Sequence, residues 1–180
     1  MFILLLTGPP YTDFDMARMH LFLLGLCATW LWSCSSAPEC LPPPKALLEG
    51  EAVQRVAAHS FEREGQTSTE TMTFEDGVRL QVSQSGCERI QQTFEWTIPS
   101  VVLPPAQPQA ALQVAEQEFG RLSQLDESLT LFVEWANAMQ TLAEGGYKLG
   151  QRVEVGPGYF AMVDALRTGD GTLVRVVLSS

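Results

Sequence analysis

The chain has 180 residues, 46% of them hydrophobic and 18% charged, with a formal net charge of −10 at pH 7. That acidic balance repels nucleic acid and anionic lipid head groups, so neither is an expected partner. The apolar share is enough for one packed core, and no internal repeat divides the chain.

The first fifteen residues fit no export signal. Phe2 to Leu6 are apolar, but the run stops at Gly8-Pro9-Pro10, and Asp13 and Asp15 put negative charge where such signals carry positive. Residues 1–15 therefore read as a mis-assigned extension ahead of a true start at Met16 or Met19. From there the order changes. Arg18 supplies one firm positive charge, and Leu21 to Trp32 form an apolar run well short of the roughly 20 residues of a spanning helix.

Leu31, Ser33 and Cys34 follow that run. The arrangement resembles a bacterial lipoprotein signal peptide, with Leu three residues ahead of the cysteine and a small residue directly before it. Trp32 departs from the pattern, where the family has a small or β-branched residue. The resemblance covers only the N-terminal part of the chain. It implies a signal peptide over 16–33, cleavage between Ser33 and Cys34, and acylation of the Cys34 thiol by a palmitate-type chain. Ser35, directly after the cysteine, implies sorting to the outer membrane facing the periplasm. A plain cleaved signal peptide and an uncleaved anchor are the competing readings of the same run.

Residues 34–45 read as a tether and 46–180 as a single globular domain. Pro42-Pro43-Pro44 favours an extended, stiff spacer. With Cys27 in the signal and Cys34 acylated, Cys40 and Cys87 remain as one pair. A disulfide between them suits an oxidising compartment; two unpaired thiols are the alternative. The bond would staple the start of the tether to the body.

Ala46 to Val53 reads either as a short helix or as the lead into a strand, and the alternation over 54–64 leans toward strand. Thr69, Thr71 and Thr73 alternate with Met72 and Phe74, Asp76-Gly77 suits a type I′ turn, and Val78, Leu80 and Val82 resume the alternation. Ser85-Gly86 marks a second turn. A third strand is expected from Cys87 to Ile98, with Ile90, Phe94, Trp96 and Ile98 on one face, completing a three-stranded meander. Pro108 opens a helix with Leu112, Ala115, Phe119 and Leu122 at helical spacing. Asp126 or Ser128 caps a second, carrying Leu129, Phe132, Val133, Ala136, Met139 and Leu142 and ending at Gly145-Gly146. Val153 and Val155 precede the turn Gly156-Pro157-Gly158. Tyr159–Arg167 and Leu173–Leu178 then form a hairpin around 168–171. Strands and helices in blocks give an α+β class: an antiparallel sheet, meander plus C-terminal hairpin, packed against a helical hairpin.

Catalytic chemistry finds little support. Hydrolysis needs an activated nucleophile with a base in reach, or two carboxylates of separated pKa. His59 is the single histidine after the signal, and Ser60 beside it points to the opposite face of a strand, so His59 reads as a surface or half-buried histidine. Glu95 reads as an outward strand residue. The pairs Glu116 with Glu118 and Asp126 with Glu127 read as helical surface. No GxSxG, HExxH or CxxC pattern occurs, and no metal, cofactor or catalytic residue is implied. Trp96 and Trp135 read as core residues, with a groove lining as the alternative. Tyr159 and Phe160, beside the Gly-Pro-Gly turn, are a candidate contact patch, and so is the stretch Ser83-Gln84-Ser85-Gly86.

Three functional readings follow. The first is a lipid-anchored envelope protein, not an enzyme, that binds another envelope protein or supports an assembly. The second is a periplasmic inhibitor or immunity protein against a basic cell-wall hydrolase, which predicts salt-sensitive binding. The third is a small hydrolase, for which His59 would be the one available base.

Overall fold

The computed structural model describes residues 40–87, 89–104, 107–169 and 171–180. Ser33, Cys34, the expected extension at 1–15 and the expected signal at 16–33 lie outside them.

Seven antiparallel strands form one sheet: β1 (Ala58–Glu64), β2 (Thr67–Thr73), β3 (Arg79–Ser85), β4 (Gln91–Pro99), β5 (Arg152–Gly156), β6 (Tyr159–Arg167) and β7 (Gly171–Ser179), in the order β1-β2-β3-β4-β7-β6-β5. The first four strands are a meander and the last three are another. Pairing of β4 with β7, Phe94 opposite Val176 and Trp96 opposite Val174, joins them. Helices α1 (Pro108–Ser123) and α2 (Leu131–Glu144) are inserted between the two meanders. The α+β class and helical hairpin match the sequence reading; β1 and β5 enlarge the expected sheet.

The two-residue period explains which face is covered. Met72, Leu80, Phe94, Trp96, Val163, Val174 and Val176 are fully buried, while their strand neighbours are exposed or half-exposed. α1 lays Leu112, Ala115, Phe119 and Leu122 on that face, all buried. Phe119 meets Trp96 edge-on at 4.9 Å and Phe94 at 5.1 Å, and α2 adds Phe132 against Phe94 at 5.7 Å. Offset and edge-to-face contacts of this kind add about 0.5–1.5 kcal/mol per pair beyond area burial. Toward β1 the cover changes: residues 45–48 and a 3-10 turn (Gly50–Arg55) seat Leu48 and Ala52 in the core.

Local expectations fail at three places. The β2–β3 connection is not a type I′ turn. Gly77 N–H donates to the Phe74 carbonyl at 3.0 Å, and Gly77 has φ +83° while Asp76 has no positive φ, which describes a type I turn followed by a left-handed glycine. Ile90 lies before β4 begins and is 45% exposed, so the buried alternation starts only at Phe94. Val133 is also exposed, because α2 turns the side carrying Phe132 and Met139 inward. Asp126 caps as expected, but at the short 3-10 turn (Glu127–Leu129) ahead of α2, where it accepts the Ser128 N–H at 2.8 Å.

Candidate functional site

Two clusters have the composition of a site. The first is polar and buried. Glu70 on β2 is 1% exposed, yet it carries a carboxylate. Its Oε1 accepts Leu48 N–H at 3.0 Å and lies 2.7 Å from His59 Nε2, and its Oε2 accepts Leu47 N–H at 2.6 Å. His59 and Glu70 are diagonal neighbours, since His59 faces Met72 and Phe61 faces Glu70 in the β1–β2 register. Both point to the helix-covered face, where water cannot replace a missing partner, so the carboxylate needs all three donors.

Among the described residues no hydroxyl or thiol hydrogen-bonds His59, and Ser60 lies on the opposite face of β1. What the carboxylate does is hold the segment entering the fold. Farther along that segment Gln84 donates to the Lys45 carbonyl at 3.3 Å, and Leu41 N–H donates to the Cys87 carbonyl at 3.1 Å. Cys40 and Cys87 are disulfide-bonded. The path from residue 40 to residue 48 is therefore fastened at β4's approach, at β3 and at β2 in turn. Sequence reasoning placed His59 as surface or half-buried and missed Glu70, although the two-residue period puts Glu70 on the same face as Met72.

The second cluster is apolar and open. Leu131, Trp135 and Ala138 recur at helical spacing along α2, and with Val155, Pro157 and Tyr159 of the β5–β6 hairpin they line a groove of about 320 Å³. Leu131 is 55% and Tyr159 52% exposed. The Trp135 and Tyr159 rings meet edge to face at 6.1 Å. Glu134 is the one charged residue of the lining. The hairpin tip is shaped by the glycines of the Gly156-Pro157-Gly158 turn, where Gly158 N–H donates to Glu154 at 3.2 Å. Trp135 is thus half-buried, packed against the core on one side and lining the groove on the other, whereas Trp96 is fully core. A half-exposed Leu and Tyr framing a Trp is the mixture found at the centre of protein contacts.

The remaining candidates sort plainly. Glu95 faces outward and accepts from Arg175 Nε at 2.6 Å across β4–β7. Glu118 is buried against Arg121, with 3.5 Å between Oε2 and Nη1, and burial raises its carboxyl above the ordinary range while Arg121 opposes the rise. It is not the surface residue expected. Ser83, Gln84 and Ser85 belong to β3 and form no free loop. Among the described residues no group of three or more His, Cys, Asp or Glu could hold a metal ion, and no helix is long and apolar enough to cross a membrane. No protein-family model, no curated protein and no solved structure matches this chain.

Proposed function

We propose that this chain is a lipid-anchored bacterial cell-envelope protein that binds another protein and is not an enzyme. Cys34 is the anchor, the outer membrane facing the periplasm is the location, and the groove between α2 and the β5–β6 hairpin is the contact surface. The observation that carries the binding reading is that groove: exposed Leu131 and Tyr159 around Trp135, at the open edge of an otherwise packed domain. The Cys40–Cys87 bond supports an oxidising compartment. Its fastening of the residues just behind the anchor also suits a domain held at a fixed reach from a membrane.

The lining favours a cationic partner. It contains Glu134 and no basic residue, and the whole chain carries −10. A Lys or Arg side chain lying in the groove against Trp135 or Tyr159 would gain cation–π attraction of about 0.5–2 kcal/mol together with the Glu134 charge. This feature brings the second reading, an inhibitor or immunity protein against a basic cell-wall hydrolase, inside the first.

Two measurements test the proposal. The intact mass of protein extracted from membranes should correspond to a chain beginning at Cys34 with acyl mass added; a chain retaining earlier residues without acyl groups removes the anchor. Binding to basic lysozyme-type hydrolases should weaken with salt and be lost in Trp135→Ala and Glu134→Lys. Undiminished binding in both variants removes the groove from the contact.

A further inference from the structure

A larger cleft lies on the other face of the sheet, at the end where β3, β4, β7 and β6 come together. It encloses about 540 Å³, within the range of small-molecule sites. Its floor is apolar, made by Phe160, Met162 and Val177, and Ile90 forms one wall. Ile90 was expected in the core; it lies instead at this cleft, exposed, just ahead of β4.

Two arginines stand at the rim. Arg152 lies over the Phe160 ring, its guanidinium carbon 4.0 Å from the centroid, and it donates to Ser179 Oγ at 3.3 Å. Arg89 also contributes to the lining. Neither makes an ion pair among the described residues, and no Asp or Glu side chain contributes to the lining. In a chain with 11 basic residues and a net charge of −10, these two guanidinium groups, without an ion-pair partner among the described residues, border one apolar floor.

The wall carrying Arg89 is held in place. Gly86 has φ +128°, and a Cβ there would overlap the Arg89 carbonyl oxygen, so the chain folds back on itself tightly at this point. Cys87 next to it is bonded to Cys40, and the Ile90 carbonyl accepts Ser180 N–H at 3.3 Å. The described residues around Arg89 are thus fastened at Cys87 and Ile90, which lowers the ordering cost of binding.

We infer that this cleft binds a small apolar molecule bearing one carboxylate, of the fatty-acid type. The hydrocarbon lies on Phe160, Met162 and Val177, and the carboxylate is held by Arg152 and Arg89, whose planar donors match its two oxygens. The site is separate from the α2 groove, and it stands or falls independently of the protein-binding reading.

The test follows methyl NMR signals of Ile90 and Met162 in the purified, oxidised protein during titration with octanoate, 1-octanol or acetate. Octanoate should give saturable shifts of both methyls, with binding at least about tenfold weaker in Arg89→Gln/Arg152→Gln. Octanol and acetate should each bind at least about tenfold more weakly than octanoate. Octanol binding as tightly overturns recognition of the charge. Acetate binding as tightly overturns the role of the apolar floor. Absence of saturable octanoate shifts, or equal affinity in the double variant, overturns the site. Arg89→Gln alone, at an exposed loop position, keeps the test valid if the double variant fails to fold.

Discussion

Glu70 and His59 meet across β1 and β2 with 2.7 Å between Oε1 and Nε2, and the same carboxylate accepts the Leu47 and Leu48 N–H groups. The pair thereby fixes the chain's entry into the fold, because a carboxylate 1% exposed has no water to turn to. Residues 45–48 supply the cover over β2 and β3 that the helices give to the rest of the sheet.

Removal of that carboxylate should loosen the entry segment first. Glu70→Ala leaves two backbone donors and a histidine without their acceptor, and should cost about 2–4 kcal/mol in urea unfolding. Amide exchange at Leu47 and Leu48 should accelerate before that of β3 or β4. Equal acceleration everywhere would mean that the contact supports the whole core and not the entry. His59→Ala should cost about 1 kcal/mol and change no hydrolytic activity; loss of a hydrolytic activity would revive the enzymatic reading.

The disulfide closes a loop with a sequence separation of 47 residues. The chain-entropy estimate for such a loop is about 3–4 kcal/mol. Reduction, or Cys40→Ser with Cys87→Ser, should lower stability by that order in denaturant unfolding. A change near zero would show that the unfolded chain already keeps residues 40 and 87 close without the bond.

Glu118 and Asp76 flank Arg121 and respond oppositely to pH. Burial raises the Glu118 carboxyl, so its charge opposes folding at neutral pH, and that opposition disappears as pH falls through the raised value. The hydrogen bond from Arg121 lowers Asp76, whose contribution is present above the unfolded value and is lost as pH falls through the folded one. Glu118→Gln should therefore raise Tm at pH 7 and leave it unchanged in acid, where the glutamate already carries its proton. A lower Tm at pH 7 would mean that the attraction to Arg121 outweighs burial.

Tyr147 ties the end of the helical hairpin to β6. Its hydroxyl accepts Val163 N–H at 2.7 Å and lies 2.6 Å from the Gln151 carbonyl and 3.1 Å from that of Val163. Tyr147→Phe keeps the ring but strands a buried N–H, and should cost about 1–3 kcal/mol by thermal or urea unfolding. A cost near zero would show that the Val163 N–H finds another acceptor when the hydroxyl is gone.

Much of the architecture follows from sequence alone, because period and punctuation are local properties. The alternation around Met72, Leu80 and Trp96 could bury only as strands, Leu112 to Leu122 could line up only on a helix, and Pro108 and Gly145 mark helix limits without reference to anything distant. The acidic charge that disfavours nucleic acid is also a property of the list of residues. Tertiary structure decided the rest, through pairs far apart in the chain. Pairing of β4 with β7 makes one sheet of two meanders, and no local pattern records which strands become neighbours. Trp135 has the spacing of a core residue, yet it is only half-buried and also lines a groove, because the helix turns Phe132 and Met139 inward and leaves the Leu131–Trp135–Ala138 side at the core's margin. Glu70 shares the face of Met72 by the two-residue period, but no local pattern names Leu47, Leu48 and His59 as the donors brought to it. Burial and hydrogen-bond partners belong to the assembled chain, because they depend on which distant segment arrives to exclude water.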